Sequence, residues 1–127
     1  MNNTNNESEK FTWKARLRSF SYAWAGIIQF FKTGHNARIH LVMAILAIAA
    51  CIFFKISDLE TIAVVFAIAF VWISEMINTA IEKTMDFITD ERLPQVKVIK
   101  DIAAGAVLIA SVTALIIGII VFAPKLF

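Results

Sequence analysis

Residues 61–86 read TIAVVFAIAFVWISEMINTAIEKTMD, an apolar run from Ile62 to Ile73 that passes into three carboxylates and an amide. Such a run is read as a membrane-spanning helix, and there polar groups are expensive. A carboxylate near the middle of a spanning helix costs roughly 2.5 to 3.5 kcal/mol on insertion scales, which makes an intramembrane acid a candidate functional group by default. At about 100° per residue, Glu75, Thr79, Glu82 and Asp86 fall within one narrow stripe, with Asn78 at its edge. One face of this helix is the candidate site.

The rest of the composition agrees with a bilayer setting. The chain has 127 residues, 59% of them hydrophobic, and a mean hydropathy of +0.74. Soluble domains run at about 45 to 50% apolar, so an ordinary soluble enzyme is excluded. The one cysteine, Cys51, lies in an apolar run and reads as a packing residue; one thiol builds neither a disulfide framework nor a cysteine metal site. Met1 to Ser8 is polar and Asn-rich and reads as a disordered tail. It lacks the basic, apolar and small-residue order of a signal peptide, so no cleavage is expected and the whole chain is expected to persist.

Four helices are predicted. From about 9 to 32, Leu17, Phe20, Trp24, Ile27 and Phe31 recur at helical spacing, away from Lys14, Arg18 and Ser21. With Trp13, Tyr22 and Trp24 among its aromatic residues, this segment reads as an amphipathic helix lying in the headgroup region. Three spans follow, at about 37–54, 60–87 and 99–122, separated by a short loop from Lys55 to Glu60 and a hydrophilic connection from Thr89 to Lys97. The predicted class is therefore an all-α membrane protein, a single domain of one interfacial helix and three transmembrane helices. Pro124 is expected to mark the end of the last span. Ala106, Ala110, Ala114 and Gly118 place a small residue every fourth position there, a seam for close helix approach.

Charge sets the orientation. Lys10, Lys14, Arg16, Arg18, Lys32 and Arg38 precede or open the first span, and Lys83, Arg92, Lys97 and Lys100 cluster between the second and third. The positive-inside rule then puts the N-terminus and the second loop in the cytoplasm, with the Lys55 loop and the C-terminus outside. Arg38 and His40, at the cytoplasmic end of the first span, read as interfacial anchors.

Lys100 and Asp101 open the third span at the membrane depth of the Glu75–Asp86 stripe, so the two clusters can meet. Together they offer a base, cation ligands, an amide and a lysine, a set that suits phosphoryl transfer. Clustered carboxylates raise one another's pKa unless a cation compensates, and an oxygen-only site favours Mg²⁺. A helix merely emerging into water would explain Asp86, but not Glu75 and Asn78 directly after a long apolar run. Soluble nucleotide-binding motifs are absent from the sequence.

Glu75-x-x-Asn78-Thr79-Ala80-Ile81-Glu82-x-x-x-Asp86, followed by Lys100-Asp101-Ile102-Ala103-Ala104-Gly105-Ala106-Val107-Leu108, resembles the small bacterial integral-membrane lipid kinases, the family of diacylglycerol kinase and undecaprenol kinase. The resemblance runs from about Arg16 to Pro124 and includes Tyr22, Gly26 and Asn36-x-Arg38-Ile39-His40-Leu41. It implies a homotrimer with composite sites at the cytoplasmic surface of the inner membrane, a membrane lipid as substrate, ATP as cosubstrate and Mg²⁺ as cofactor. No nucleic-acid partner is expected. By the same resemblance Glu75 is the general base and Glu82 a metal ligand. Asn78, Asp86, Lys100 and Asp101 shape the nucleotide and phosphate site, with Asn78 and Lys100 also toward the substrate and Arg16 or Arg18 toward the nucleotide. The Arg38-Ile39-His40-Leu41 and Ala103–Ala106 wording is closer to the undecaprenol kinase branch.

One departure stands out. The family usually carries a metal-holding Glu four residues before the Arg of Arg-Ile-His, where this chain has Gly34. His35 is adjacent but about 100° away around a helix. An inactive homologue of the same fold, and a small ion-coupled transporter using an intramembrane Glu, are the competing readings.

Overall fold

The computed structural model describes residues 12–127; residues 1–11, which hold the expected disordered tail and the expected start of the first helix, lie outside the described residues. Of His35 the backbone alone is described. The elements are α1 (Trp13–Thr33), α2 (His35–Phe54), α3 (Asp58–Ile88) and α4 (Pro94–Leu126), with no strand among the described residues. Three of them, α2, α3 and α4, are long and apolar enough to cross a membrane. The chain divides into two units, one ending at Thr33 and the other comprising Gly34–Phe127. In the first, α1 carries Trp13, Leu17, Phe20, Tyr22 and Trp24 exposed.

In the second unit the turns are set by local chemistry. Lys55 ends α2 in the left-handed region (φ 48°), its N–H reaching the Cys51 and Ile52 carbonyls, a role more often filled by glycine. Ser57 then caps α3 in a capping box: Glu60 N–H donates to Ser57 Oγ at 3.3 Å, and Ser57 N–H donates to Glu60 Oε2 at 2.8 Å. At the other end of α3, Thr89 Oγ1 accepts from Glu91 N–H at 3.0 Å. Pro94 sits at the start of α4, where its missing N–H is not needed. That start lies several residues before the expected 99, so Pro94 to Lys97 belong to the helix and not to the connection. α4 also runs through Pro124 to Leu126.

Helix α3 is central, packing against α4 along its length and against α2 less extensively. Its buried residues, Val64, Ala67, Val71, Glu75 and Asn78, form one ridge at three- and four-residue spacing. The register of α3 on α4 is marked by two ion pairs, Glu60–Lys125 at 3.1 Å and Asp86–Lys100. Twenty-six residues separate Glu60 from Asp86 and twenty-five separate Lys100 from Lys125, about 39 and 38 Å of helix. The helices therefore run in step over more than the roughly 30 Å of a hydrocarbon core. At the Lys125 end, the Phe54 and Phe122 rings meet at 6.2 Å and join α2 to α4. Between α2 and α4, floored by α3, lies an apolar groove of about 590 Å³ whose walls include Met43, Ala47, Ala67, Val71, Ala114 and Gly118.

The close-packing face of α4 differs from the expected seam. Ala103, Ala110 and Val121 are the buried residues, while Ala106 is exposed and a Cβ added at Gly118 would meet nothing within 4 Å. A true α-helix drifts around its axis relative to a strict every-fourth-residue row, so the row leaves the interface while the three-and-four ridge stays in it.

Ala110 is fully buried. Ala110→Leu is expected to cost about 1 to 3 kcal/mol by overpacking, read as a lowered unfolding midpoint in micelles, and Ala106→Leu to cost less.

Candidate functional site

The acidic stripe of α3 begins inside the protein. Glu75 is 4% and Asn78 6% exposed, the two buried polar side chains among the described residues, and both continue the ridge that Val64, Ala67 and Val71 begin. Counting in step from the two ion pairs places Ala110 of α4 about level with Glu75, and Ala103 about level with Glu82. Counting from the Lys55 turn places Ala37 of α2 about level with Glu75. Ala37 and Ala110 are both 0% exposed. Small side chains at these levels leave room for a carboxylate where larger ones would fill the interface.

Asn78 Nδ2 donates to Glu82 Oε1 at 3.1 Å, one turn further along the ridge. The other end of the amide, Oδ1, is buried and accepts no hydrogen bond. Asn78 therefore lies on the buried ridge, as its last buried member, where the stripe placed it at the edge, and Thr79 is half-buried beside it. Glu82 is also half-buried. Asp86, a turn later, is exposed and accepts from Lys100 Nζ. Along α3, Glu75 lies about 16 Å from the level of that pair. The row thus runs from a wet, paired end to a dry, enclosed carboxylate.

Two of the expected encounters form and others take another shape. The stripe and the start of α4 meet through Asp86–Lys100. Asp101 does not join them; it pairs with Lys97 one turn before it on the same helix. Lys97 had been placed in the connection, so its service to Asp101 was hidden by the late helix start. Both pairs line a polar pocket with Thr89, Asp90, Arg92 and Pro94. Gly34 is the N-cap of α2, extended at φ −82° and ψ 115°, with no side-chain cap. By the same count from the Lys55 turn it falls about level with Asn78. The side chain of His35 lies outside the described residues. Arg16 and Arg18 are exposed on α1, in the other unit.

The donor set is hard oxygen throughout: two carboxylates and an amide on one ridge. Among the described residues no three His, Cys, Asp or Glu side chains converge. A cation here would be held by one or two protein carboxylates and completed by water or phosphate, the manner in which Mg²⁺ is bound at phosphoryl-transfer sites. The buried, unpartnered Asn78 oxygen fits the same chemistry.

Residues 21–122 match the family model for prokaryotic diacylglycerol kinase. The chain is 36% identical over 110 residues to undecaprenol kinase of Bacillus subtilis (strain 168), covering 87% of this chain and 89% of that protein. It is 35% identical over 111 residues to diacylglycerol kinase of Synechocystis, covering 87% of this chain and 63% of that protein.

The Asp86–Lys100 pair is open to solvent, with 68% and 33% of the side chains exposed. Lys100→Met is therefore expected to move stability by less than about 1 kcal/mol, measured by thermal unfolding in micelles.

Proposed function

The chain belongs to the prokaryotic diacylglycerol kinase family, and from that premise we propose that it transfers the γ-phosphoryl group of ATP to the primary hydroxyl of a membrane lipid. A polyprenol is preferred over a diacylglycerol. The Arg38-Ile39-His40-Leu41 and Ala103–Ala106 wording supports that order, the two relatives being matched at 36% and 35% identity. The observation that carries the reading is Glu75, a carboxylate 4% exposed on a helix long and apolar enough to cross a membrane.

In the proposed reaction Glu75 accepts the proton of the lipid hydroxyl as its oxygen closes on the γ-phosphorus. The bond from that phosphorus to the bridging oxygen breaks, and ADP leaves with the electron pair. Keeping Glu75 away from water disfavours transfer to water in place of lipid. Lys100 exchanges Asp86 for phosphate oxygens, a low-cost exchange for an exposed ion pair. Asp86 and Asp101 frame the nucleotide, Asp101 being steadied by Lys97, and the family resemblance assigns Arg16 or Arg18 to nucleotide binding. Glu82, oriented by Asn78, holds Mg²⁺. When bound, the ion neutralises charge on the β- and γ-phosphates.

The site faces the cytoplasm at the inner membrane, with α1 in the headgroup layer. A homotrimer closes it. One protomer leaves Glu82 half-exposed, which supports assembly, and the family resemblance supplies the number. A weak or inactive homologue is the second reading, favoured by Gly34 alone.

Glu75→Gln is expected to lower kcat by about 10²- to 10⁴-fold while nucleotide affinity, measured by equilibrium binding, stays near that of the parent. Near-normal turnover would remove Glu75 from the role of base. Gly34→Glu is expected to lower the Mg²⁺ concentration at half-maximal rate by about tenfold; an unchanged titration would mean that the site is completed by other groups.

A further inference from the structure

We propose that the apolar groove between α2 and α4 holds the tail of the lipid substrate, and that Gly118 and Ala114 on its α4 wall select a methyl-branched polyisoprenyl chain over the acyl chains of a diacylglycerol. The proposal rests on the kinase reading for the hydroxyl at the head of that chain and on the structure for the groove. The groove encloses about 590 Å³, a size that holds a small organic ligand. Its floor includes Val64, Ala67 and Val71, the ridge of α3 whose next buried member is Glu75. A chain lying on that floor brings its head to Val71, about 6 Å along the helix from the carboxylate.

Polarity along the groove runs the same way. Its polar side chains are His40, Trp72 and Ser111. Counting in step from the Lys55 turn and the two ion pairs places His40 about level with Trp72, and Ser111 about level with Ser74. All three therefore stand at the Glu75 end, and the walls beyond them are apolar. The three helices that form the groove are those long enough to cross a membrane, so hydrocarbon fills it. At the far end the Phe54 and Phe122 rings meet at 6.2 Å, about 18 Å of helix from the level of Glu75. The groove therefore holds the part of a tail nearest the hydroxyl, and the rest of a long chain leaves sideways into the bilayer.

The width is set on α4. Gly118 and Ala114 line the groove, with Ala47 of α2 on the opposite wall. A Cβ added at Gly118 would meet nothing within 4 Å, so helix packing within the protomer does not require a glycine there. What the glycine leaves is free volume in the groove. A chain with a methyl branch on every fourth carbon is wider than an unbranched acyl chain, and a wall that stands off from its ligand forfeits dispersion contacts. The space beside Gly118 and Ala114 thus favours the branched chain.

Trp72 reports on the groove that it lines. Full-length protein carrying Trp13→Phe and Trp24→Phe, which leaves Trp72 as its one indole, is purified in mixed micelles. It is titrated with a polyisoprenol bearing a nitroxide near the hydroxyl end and, separately, with a nitroxide-labelled phospholipid. The expected result is saturable quenching by the labelled polyisoprenol, displaced by unlabelled polyisoprenol at a concentration at least tenfold below that of diacylglycerol. Gly118→Leu is expected to raise the half-saturation concentration about tenfold or more, with the unfolding midpoint and oligomeric mass unchanged. Quenching that grows without saturation, as for the phospholipid, overturns the proposal, and so does an unchanged half-saturation in Gly118→Leu. A fall in oligomeric mass in that variant also overturns it, because the groove then belongs to a helix of a second copy. If Gly118→Leu does not fold, Gly118→Ala and Ala114→Val are compared: graded loss of polyisoprenol affinity supports the site, and affinity equal to the parent overturns it. None of these titrations uses phosphoryl transfer. Saturable binding by a protein that phosphorylates no lipid would keep the groove and remove the kinase reading, and phosphorylation without saturable quenching would do the reverse.

Discussion

The antiparallel pairing of α3 with α4 governs which polar groups of α3 are buried and which meet water. Ion pairs at both ends, Glu60–Lys125 and Asp86–Lys100, are matched within one residue over about 38 Å. Between them the interface is built of small side chains on α4, Ala103 and Ala110, facing the ridge of α3. The exposed pairs contribute little energy. Their importance is geometric, because they record a register in which alanines stand level with Glu75 and Glu82. A shift of one residue in one direction along α4 would bring Ile109 and Ile102 to the levels of Glu75 and Glu82.

That arrangement turns an energetic liability into chemistry. A ridge that starts as Val64, Ala67 and Val71 acquires Glu75 and Asn78 without changing face. The same close packing that would hold two aliphatic side chains therefore holds a carboxylate and an amide away from water. Toward the Asp86 end the groups become progressively wetter, half-buried at Glu82 and exposed at Asp86. A dry carboxylate at one end and a solvent-open ion pair at the other suit the proposed reaction, which joins a lipid alcohol to a water-borne phosphate donor.

Much of this was legible in the residues. Three apolar runs gave three spans, and the acids at the end of the second marked the candidate site, because lipid penalises such groups so heavily. What the pattern did not resolve was which residue beside Glu75 lies in the buried interface. An ideal wheel favours Thr79 with Glu75 and Glu82, whereas packing against two neighbours puts Asn78 on the ridge. The buried face of α4 within the protomer departs from the every-fourth row for a related reason: Ala106 looks equivalent to Ala110 by composition, and only the partner helix distinguishes them. The early start of α4 was signalled by Pro94, which is as good a first helical residue as it is a turn residue. Partners such as Lys97 for Asp101 became visible once that turn was helical. The alanines Ala37 and Ala110 carried no signal of their own, since their importance comes from what stands level with them.

The central claim, that this ridge phosphorylates a lipid alcohol, is tested most directly by phosphate transfer from γ-labelled ATP. Purified full-length protein in mixed micelles is offered undecaprenol or diacylglycerol, each with and without Mg²⁺. Label is expected on lipid only with Mg²⁺, and faster on undecaprenol. No label on either lipid, from protein shown to be folded and oligomeric, would contradict the claim and leave an inactive homologue as the reading of this chain.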